Sequence, residues 1–496
     1  MYRSYIGLEI HIHLLTDTKV FCSCKAAFGS EPNTNVCPIC MGHPGVLPVL
    51  NRAAFDMGVL VAHALHCRIP EKTWFERKQY FYPDMPKNYQ ISQFASPLGQ
   101  DGYLDMIVPG GKKKRIRIKE CHLEEDAGKM IHAGNVTLLD YNRAGTALLE
   151  IVTEPDLETG AEAETFIQQL RRLVRYLEVC DGNMEEGSLR SDANVSVNLD
   201  GAGLGRKVEI KNLNSSRFVR LALDFEIERQ KNILDMGKEV IQETRLWNEN
   251  RDQTESMRSK EDSHDYRFFP EPDLPVLEIS DAYRTEIRGK LIELPTERFE
   301  RLVQDYELSL EQAEYICEER ALADYFESAV QAIGCLERGD AARRVALWLA
   351  GDVKRIMNRD GITADTISSW NFSPQRLAQL LELLGRGTIS GKIAKQTLEL
   401  SVAEDRDPQV IVQERGWQLI QAPELIGQYV QEVCQKELES FQEACSAFKA
   451  GNTKRYETLT AYLVGKVLAA SQGRCDALLV KEQVEKKIEG STSCVY

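Results

Sequence analysis

The hydrophobic periodicity of the chain changes near residue 295, and this change constrains the fold more than any other feature. Up to that point, short segments such as "RKVEIKN", "ANVSVNL" and "LLEIVTE" alternate apolar and polar residues. Beyond "ELPTERFERL", amphipathic stretches rich in Leu, Ala, Glu, Arg and Gln continue to the end. Alternation predicts half-buried strands, and a period of about 3.6 predicts helices. We therefore predict an α+β protein in which a mixed-sheet domain precedes an all-α region.

The length of 496 residues suggests roughly three domains of about 150 residues each. We place the first domain at 1–294, with helices from Ala161 to Leu177 and after Asn214. A charged segment with a proline, "AEDRDPQV", marks a second break. We therefore predict a helical domain at 295–404 and a small helical tail domain at 405–488.

The formal charge of −15 argues against a general nucleic-acid binder, because binding to phosphates depends on lysine and arginine. One local basic segment, "GGKKKRIRIK" from Gly110 to Lys119, is either a nucleic-acid contact or an edge strand protected by its lysines. The start, "MYRSYIGLE", has no apolar signal core, and no apolar run reaches the ~18 residues of a membrane span. We expect a cytoplasmic protein without a membrane partner.

Two close cysteine pairs carry the most specific local signal. Thirteen cysteines in a sequence without a signal peptide favour reduced thiols or metal ligands over disulfides. Two cysteines close together in the sequence therefore indicate a pair of metal ligands. Four thiolates on two short knuckles can surround one tetrahedral zinc ion with no position left for a substrate. The alternative is four unconnected small hydrophobic residues. We predict a structural zinc knuckle over 22–40, with the ligands Cys22, Cys24, Cys37 and Cys40.

The segment "GLEIHIHL" places ionisable residues at every second position. In a strand, Glu9, His11 and His13 lie on one face, and the apolar residues between them lie on the other. A polar face turned to water explains this pattern when it is taken alone. The alternative is one wall of a functional site.

Carboxylates cluster in two further segments. Glu124 and Glu125 lie in "HLEEDAGK", where adjacent charges need solvent, a cation or a metal to relieve their repulsion. Glu150 interrupts the apolar run "LLEIV", where an unpaired charge would be costly to bury, so we expect it to face a site. Such oxygen ligands suit Mg²⁺. An imidazole such as His11 is a less usual ligand of Mg²⁺ and would equally suit Mn²⁺, so either ion fits the sequence.

The sequence contains no phosphate-binding loop of the form GxxxxGK[ST] and no set of protein-kinase motifs. "GAGLG" lies between two predicted strands, which favours a hairpin connection over a phosphate-binding loop. A GxSxG elbow is also absent, and residue 2 is Tyr, so the chain has no recognisable means of releasing ammonia from glutamine.

Taken together, a series of motifs in order along the first domain resembles the B subunits of the tRNA-dependent amidotransferases, and the helical remainder resembles them more loosely. These motifs are "GLEIHIHL", the cysteine pairs, "ERKQYFYPDMPKNYQISQ", "HLEEDAGK", "DYNRAGTALLEI", "GSLRSDANVSV", "VEIKNLNSSRF" and "MRSKEDSHDYRFFPEPDLP".

The resemblance implies a cradle-like first domain with kinase-like activity. It implies that ATP and a divalent metal serve to phosphorylate the side-chain carboxylate of Glu-tRNA(Gln), Asp-tRNA(Asn) or both, and that ammonia then displaces phosphate. It further implies a heterotrimer in which one partner is an amidase that hydrolyses glutamine and the other is a small third protein. The sequence does not decide between the two mischarged tRNAs.

The resemblance also assigns residue roles. Glu9, His11, Glu124 and Glu150 would hold or orient magnesium and ATP, with Glu125 near them. The residues that would neutralise phosphate or line the ammonia route are Lys78, Lys87, Tyr82, Ser191 and Asp192. The alternative for each lysine is a solvated surface position.

Three residues depart from the usual pattern of these proteins: His13 replaces a glutamate or glutamine, Ala147 a proline and Ser191 a cysteine. His13 could alter metal preference or the response to pH near neutrality. The resemblance implies that the C-terminal helical and tail domains grip tRNA, and here "FKAGNTKRYETL" is either such a contact or an ordinary loop between helices. Its candidate contact residues are Lys449, Lys454, Arg455 and Tyr456.

Two other functions are compatible with the same residues. One is an ATP-dependent amide ligase acting on a small carboxylate. The other is a zinc-stabilised tRNA-binding scaffold without chemistry of its own.

Overall fold

The computed structural model describes residues 1–108, 111–257 and 266–493. Gly110 of the basic segment and residues 258–265 of the last resemblance motif therefore lie outside the described residues. The chain forms two compact units, Met1–Arg298 and Phe299–Tyr496. The first contains the strands and the second is helical, which confirms the predicted α+β class.

Fifteen strands are present in the described part of the first unit. Their bounds are β1 Tyr2–His13, β2 Lys72–Thr73, β3 Glu76–Gln79, β4 Tyr89–Ser92, β5 Gly99–Ile107, β6 Lys113–Glu125, β7 Lys129–Ala133, β8 Val136–Asp140, β9 Ala147–Thr153, β10 Leu189–Leu199, β11 Val208–Leu213, β12 Thr244–Asn248, β13 Gln253–Ser256, β14 Phe269–Pro270 and β15 Leu277–Glu278.

The helices before and after the unit boundary differ in number. Those that begin before the boundary are α1 Arg52–Ala64, α2 Gly160–Tyr176, α3 Ser216–Asp235, α4 Asp281–Arg288 and α5 Pro295–Asp305, and α5 crosses it. Those after it are α6 Leu310–Ile316, α7 Arg320–Ala332, α8 Arg338–Trp348, α9 Lys354–Asp360, α10 Pro374–Gly385, α11 Gly391–Glu404, α12 Pro408–Glu414, α13 Pro423–Lys436, α14 Leu438–Lys449, α15 Thr453–Ala470 and α16 Ala477–Ser493.

Eight strands form the main sheet in the order β13-β12-β11-β10-β1-β9-β6-β5. The pairing is antiparallel except between β11 and β12. The predicted "GLEIHIHL" strand is the inner strand β1, between β10 and β9. "GAGLG" connects the antiparallel pair β10 and β11, as the hairpin interpretation predicts.

The apolar face of β1 belongs to the main core of the first unit. Leu8, Ile10 and Ile12 are at most 1% exposed, and burial of each such side chain contributes about 1.5–3 kcal/mol. Residues of α1, α2 and α3 share this core. The two helices predicted from spacing are confirmed as α2 and α3. These helices cover the apolar face of β1. Side chains alternate along a strand, so the polar residues of β1 lie on the face that these helices do not cover.

The basic segment at the start of β6 is engaged in ion pairs. Lys114 contacts Glu162 at 2.8 Å, and Arg115 contacts Asp105 at 2.7 Å. Arg117 likewise pairs with an aspartate on the loop after β9. These pairs favour the structural interpretation of the segment over a nucleic-acid contact.

The second unit ends in a helical group with a core of its own, contributed by α13 to α16. Helix α11 ends at Glu404, and Asp405 follows it in the left-handed conformation with φ +52°. The predicted break near 405 thus coincides with a helix end, and a separate tail domain stays a prediction. Among the described residues, no helix combines the length and apolar character needed to span a lipid bilayer.

Candidate functional site

Three neighbouring strands bring their ionisable side chains into one row. His11 of β1 pairs directly with Glu150 of β9, and Glu150 pairs with His122 of β6. Directly opposed residues of antiparallel strands point to the same face. Glu124, two positions after His122, points the same way. The polar face of the sheet therefore concentrates two imidazoles and two carboxylates.

The distances within this row are those of a tightly connected cluster. His11 Nε2 lies 3.1 Å from Glu150 Oε2, and His122 Nε2 lies 3.3 Å from the same oxygen. His122 Nε2 is also 3.6 Å from Glu124 Oε2, to which the Ser92 hydroxyl donates a hydrogen bond at 3.1 Å. Glu150 is thus shared by both histidines.

Burial and charge act in opposite directions on these groups. Burial alone lowers the pKa of His122, but the adjacent Glu150 and Glu124 outweigh it and raise the pKa to about 10. Burial also opposes the charge of His11, but its hydrogen bond to Glu150 and the nearby negative charges raise its pKa. The pKa of Glu150 is lowered well below its usual value despite burial, because both imidazoles stabilise its charge. The carboxylates are therefore held ionised.

The same residues fit a divalent cation. One ligand atom from each of His11, Glu124 and Glu150 can be chosen so that all lie within 4.8 Å of one another. The buried His122 Nδ1 has no hydrogen-bond partner in the described part of the chain. Two carboxylates and one imidazole that are open on one side form the kind of site that suits Mg²⁺ or Mn²⁺. They do not form a closed structural site.

A cavity of about 280 Å³ adjoins the cluster. His11, Glu124 and Leu148 line it from the main sheet, and Lys78 and Tyr266 line it from the β3 region. The Lys78 ammonium lies 4.9 Å from the ring centroid of Tyr266. Burial disfavours its charge, but Glu124 and Glu150 outweigh burial and raise the pKa of Lys78. A lysine that stays charged at a cavity wall can neutralise an anionic ligand.

Two further predicted residues lie on the polar face beside the row. Asp192 lines the cavity and accepts a hydrogen bond from Lys211 Nζ at 2.7 Å. Glu9 pairs in register with Asp192 and accepts a hydrogen bond from Asn194 at 2.9 Å. Burial, reinforced by the charge of Glu150, raises the pKa of Glu9. Glu9 is not a member of the three-ligand group, and it lies two residues before His11 on the same face of β1.

Other predicted residues are not brought to the cavity. Glu125 points to the opposite side of β6 from Glu124, and its carboxylate forms a buried ion pair with Lys87. Ser191 pairs with Ile10, so its side chain lies on the apolar face and is 3% exposed. Tyr82 is 42% exposed and does not line the cavity.

The four cysteines of the predicted knuckle come together in a separate cluster, with all Sγ atoms within 4.8 Å of one another. Cys37 and Cys40 have an Sγ–Sγ distance of 3.9 Å, near the edge of about 3.8 Å that Zn–S bonds of about 2.3 Å imply. A hydrogen bond from Cys22 lowers the pKa of Cys40, and the buried Lys19 ammonium acts in the same direction. The geometry and charge fit a zinc ion bound by thiolates.

The loop between the cysteine pairs also holds neighbouring structure in place. Asn33 donates from its backbone to Asp140 Oδ1 at 3.0 Å and from its side chain to the Leu139 carbonyl at 2.9 Å. These bonds fix the end of β8 in the hairpin formed by β7 and β8. A zinc ion would therefore order this part of the domain as well as the knuckle.

Sequence reasoning missed His122 and Arg190, although both lie in quoted motifs. The alternation that assigned Glu9 and His11 to one face also puts His122 on the face of Glu124. Arg190 lines the cavity and pairs in register with His11. Only the pairing of β1 with β10 reveals that position.

The first unit, which carries the cavity and the carboxylate and imidazole cluster, matches the family profile described as "GatB/GatE catalytic domain" over residues 4–285. A second profile, "GatB domain", matches residues 324–488. The chain belongs to the family of aspartyl/glutamyl-tRNA(Asn/Gln) amidotransferase B subunits, which confirms the resemblance found in the sequence.

Relatives with that name cover nearly the whole chain. The protein of Thermodesulfovibrio yellowstonii is 43% identical over 487 residues, covering 98% of this chain and 99% of the relative. That of Gloeobacter violaceus is 44% identical over 98% of this chain and 87% of its own length. That of Persephonella marina is 42% identical over 98% of this chain and its own full length.

Proposed function

We propose that this chain uses ATP to phosphorylate the side-chain carboxylate of Glu-tRNA(Gln), Asp-tRNA(Asn) or both, and that ammonia then converts the acyl phosphate to the amide. The observation that carries this proposal is the convergence of His11, Glu124 and Glu150 from three strands beside a cavity whose wall includes Lys78. Membership in the amidotransferase family supplies the substrate class.

The chemistry requires activation because a carboxylate oxygen is a poor leaving group. Transfer of the terminal phosphoryl group of ATP to the carboxylate gives an acyl phosphate and ADP. Attack of neutral ammonia at the acyl carbon then expels phosphate and leaves the amide. The phosphoryl step depends mainly on positioning and on neutralising negative charge.

The residues beside the cavity divide this work. Glu124, Glu150 and His11 would hold the divalent ion, which when bound supplies positive charge to the phosphate oxygens. His122 would orient Glu150 and Glu124 through the contacts at 3.3 and 3.6 Å. The Lys78 ammonium would contact the transferred phosphate from the opposite wall. Glu9 would support the ion from its neighbouring position on β1.

The proposal requires partner subunits. The chain carries no recognisable glutaminase motif, so ammonia must come from an amidase partner, with a small third protein completing a heterotrimer. We further propose that the tail helices contact tRNA near the turn between α14 and α15. Next to that turn, Arg455 of α15 pairs with Glu443 of α14 at 2.6 Å, and Tyr456 of α15 packs on Phe448 of α14. Lys449 and Lys454 would therefore carry most of the contact.

We propose a structural zinc ion at the thiolate cluster. Its closed set of four sulfur ligands leaves no place for a substrate. The ion would stabilise the loop that fixes the β7–β8 hairpin through Asn33.

The test measures phosphate release and amide formation by the chain assembled with its amidase and small partners, supplied with ATP, Mg²⁺, ammonium and mischarged tRNA. Glu150→Gln should lower amide formation about 10²- to 10³-fold, because it removes a ligand of the divalent ion that would neutralise the reacting phosphate. Glu239→Gln, at an exposed carboxylate paired with Arg206, is the matched control and should leave the rate unchanged.

Two outcomes would reject the proposal in favour of the alternatives. If free glutamate or aspartate replaces mischarged tRNA with equal efficiency, the chain is a small-molecule amide ligase. If Glu150→Gln retains full amide formation, the chain acts as a scaffold without chemistry of its own.

A further inference from the structure

We propose that Arg190 binds the reacting oxyanion in this cavity, either the side-chain carboxylate of the aminoacyl-tRNA or the terminal phosphate of ATP. The inference rests on the proposed function, and it adds an anion-binding residue that the sequence motifs did not single out. Four observations support it. They are the strand register of Arg190, its place in the cavity lining, the contact of Asp126 with two arginines, and the Nε atom of Arg190 that has no hydrogen-bond partner among the described residues.

Strand register places Arg190 next to the metal-type cluster. It lies on β10 directly opposite His11 of β1, so both side chains leave the same face of the sheet. Arg190 also lines the cavity. Asp192, two residues further along β10, lines the same cavity. The guanidinium group therefore borders the space where phosphate and carboxylate would meet.

The carboxylate of Asp126 forms an ion pair with Arg190 but neutralises its positive charge only in part. Arg190 Nη2 lies 2.8 Å from Asp126 Oδ2, and that same oxygen is 2.7 Å from His13 Nε2 and 3.3 Å from Arg143 Nε. Asp126 is 5% exposed and therefore poorly screened by water. Arg190 and Arg143 share this single carboxylate, so Asp126 neutralises the charge of Arg190 only in part.

The donors of the two arginines are used differently. Arg143 donates to the carbonyl oxygens of Ala127 at 2.9 Å and Gly128 at 2.8 Å, and it does not line the cavity. Arg190 Nε is buried and makes no hydrogen bond to any described residue. A guanidinium group presents its donors as a planar fork that matches carboxylate and phosphate oxygens. Arg190 thus retains an N–H donor that no described residue uses, whereas Arg143 donates to the backbone.

An anion that enters the cavity can be bound by one of two cationic side chains among the described lining residues. Among the described lining residues, Glu124, Asp126 and Asp192 are acidic, and Lys78 and Arg190 are the lysine and arginine. The charge of Lys78 is balanced by Glu124 and Glu150. Arg190, whose partner Asp126 is shared with Arg143, is therefore placed to hold the reacting oxyanion during phosphoryl transfer. Because the amide product is neutral, the arginine would favour substrate over product.

The experiment compares Arg190→Lys with the matched control Arg143→Lys in the assembled complex. Arg190→Lys should lower kcat/KM about 100-fold, since an ammonium cannot reproduce the fork. Arg143→Lys should change it much less, because Arg143 donates to backbone carbonyl oxygens and does not line the cavity. Inhibition by added inorganic phosphate should weaken at least about tenfold in Arg190→Lys alone. Arg190→Gln, which can still donate to Asp126, is the second variant if Arg190→Lys melts early.

The two KM values distinguish the sources of the oxyanion. A rise in KM for mischarged tRNA with unchanged KM for ATP assigns the carboxylate, and the converse assigns the phosphate. Equal effects of Arg190→Lys and Arg143→Lys, or no effect on phosphate inhibition, would overturn the inference, because Arg190 would then only hold Asp126. Absence of amide formation by the unmodified complex would instead reject the proposed function.

Discussion

The two candidate metal clusters of the first unit have opposite designs. Cys22, Cys24, Cys37 and Cys40 contribute only sulfur atoms, and they lie close enough to enclose one ion completely. His11, Glu124 and Glu150 contribute nitrogen and oxygen atoms and border a cavity. The first cluster lies on a loop between turns, and the second lies on paired strands.

This difference predicts that the thiolate cluster contributes to stability and that the open cluster contributes to the reaction. A closed thiolate site has no open coordination position, so its free energy of binding contributes to folding. An open site of hard ligands leaves positions for water and phosphate oxygens. Placement on three adjacent strands also fixes the ligands more rigidly than a loop would. Variants of the two clusters should therefore fail in different assays.

The largest effect is expected at the thiolate cluster. Cys40→Ser removes a ligand next to the buried Lys19, whose ammonium lies 3.6 Å from Cys40 Sγ, so zinc should be lost and the knuckle should unfold. Each kcal/mol of lost stability should lower Tm by about 2–4 °C in a domain of this size. Zinc content by elemental analysis and Tm by calorimetry test this. Retention of one zinc per chain with unchanged Tm would contradict it.

The next effect distinguishes Lys87 from Lys78. Lys87→Met should destabilise the first unit by about 3–5 kcal/mol, because it leaves the buried Glu125 carboxylate unpaired. The double variant with Glu125→Gln should recover much of this loss. Lys78→Met, by contrast, should lower phosphoryl transfer and should reduce the free energy of unfolding less than Lys87→Met does. Urea denaturation and phosphate release measure the two quantities, and equal behaviour of both lysines would remove the distinction.

A smaller effect is expected for His122, which contacts both carboxylates of the open cluster without belonging to the three-ligand group. His122→Gln should weaken Mn²⁺ binding about 10- to 100-fold, the usual cost of losing a group that orients metal ligands. Titration followed by electron paramagnetic resonance measures the affinity, and zinc content serves as the internal control. Unchanged Mn²⁺ affinity would show that His122 only fills space.

The smallest effect is expected at Ser191. Its buried hydroxyl has no hydrogen-bond partner among the described residues, and its side chain lies on the face opposite the cavity. Ser191→Ala should therefore change stability by less than about 1 kcal/mol. Ser92→Ala, which removes a donor to Glu124, should reduce activity more. A larger loss of amide formation in Ser191→Ala than in Ser92→Ala would restore Ser191 to the site.

Much of the candidate site was predictable because alternation in a strand is local. Glu9 and His11 share one face of β1, and Leu8 and Ile10 share the other, as the sequence pattern indicates. The same rule separates Glu124 from Glu125, which are adjacent on β6. Cysteine spacing predicted the thiolate cluster, since both pairs are short-range features.

The rest depended on tertiary structure. Nothing local in the sequence reveals that β9 pairs between β1 and β6, which is what puts Glu150 between His11 and His122. Nor does a motif reveal that Lys78 reaches the cavity while Lys87 pairs with Glu125. The local pattern of the chain determined which face of each strand is polar. Long-range strand pairing decided which polar residues meet, because register is set between segments that are distant in the sequence.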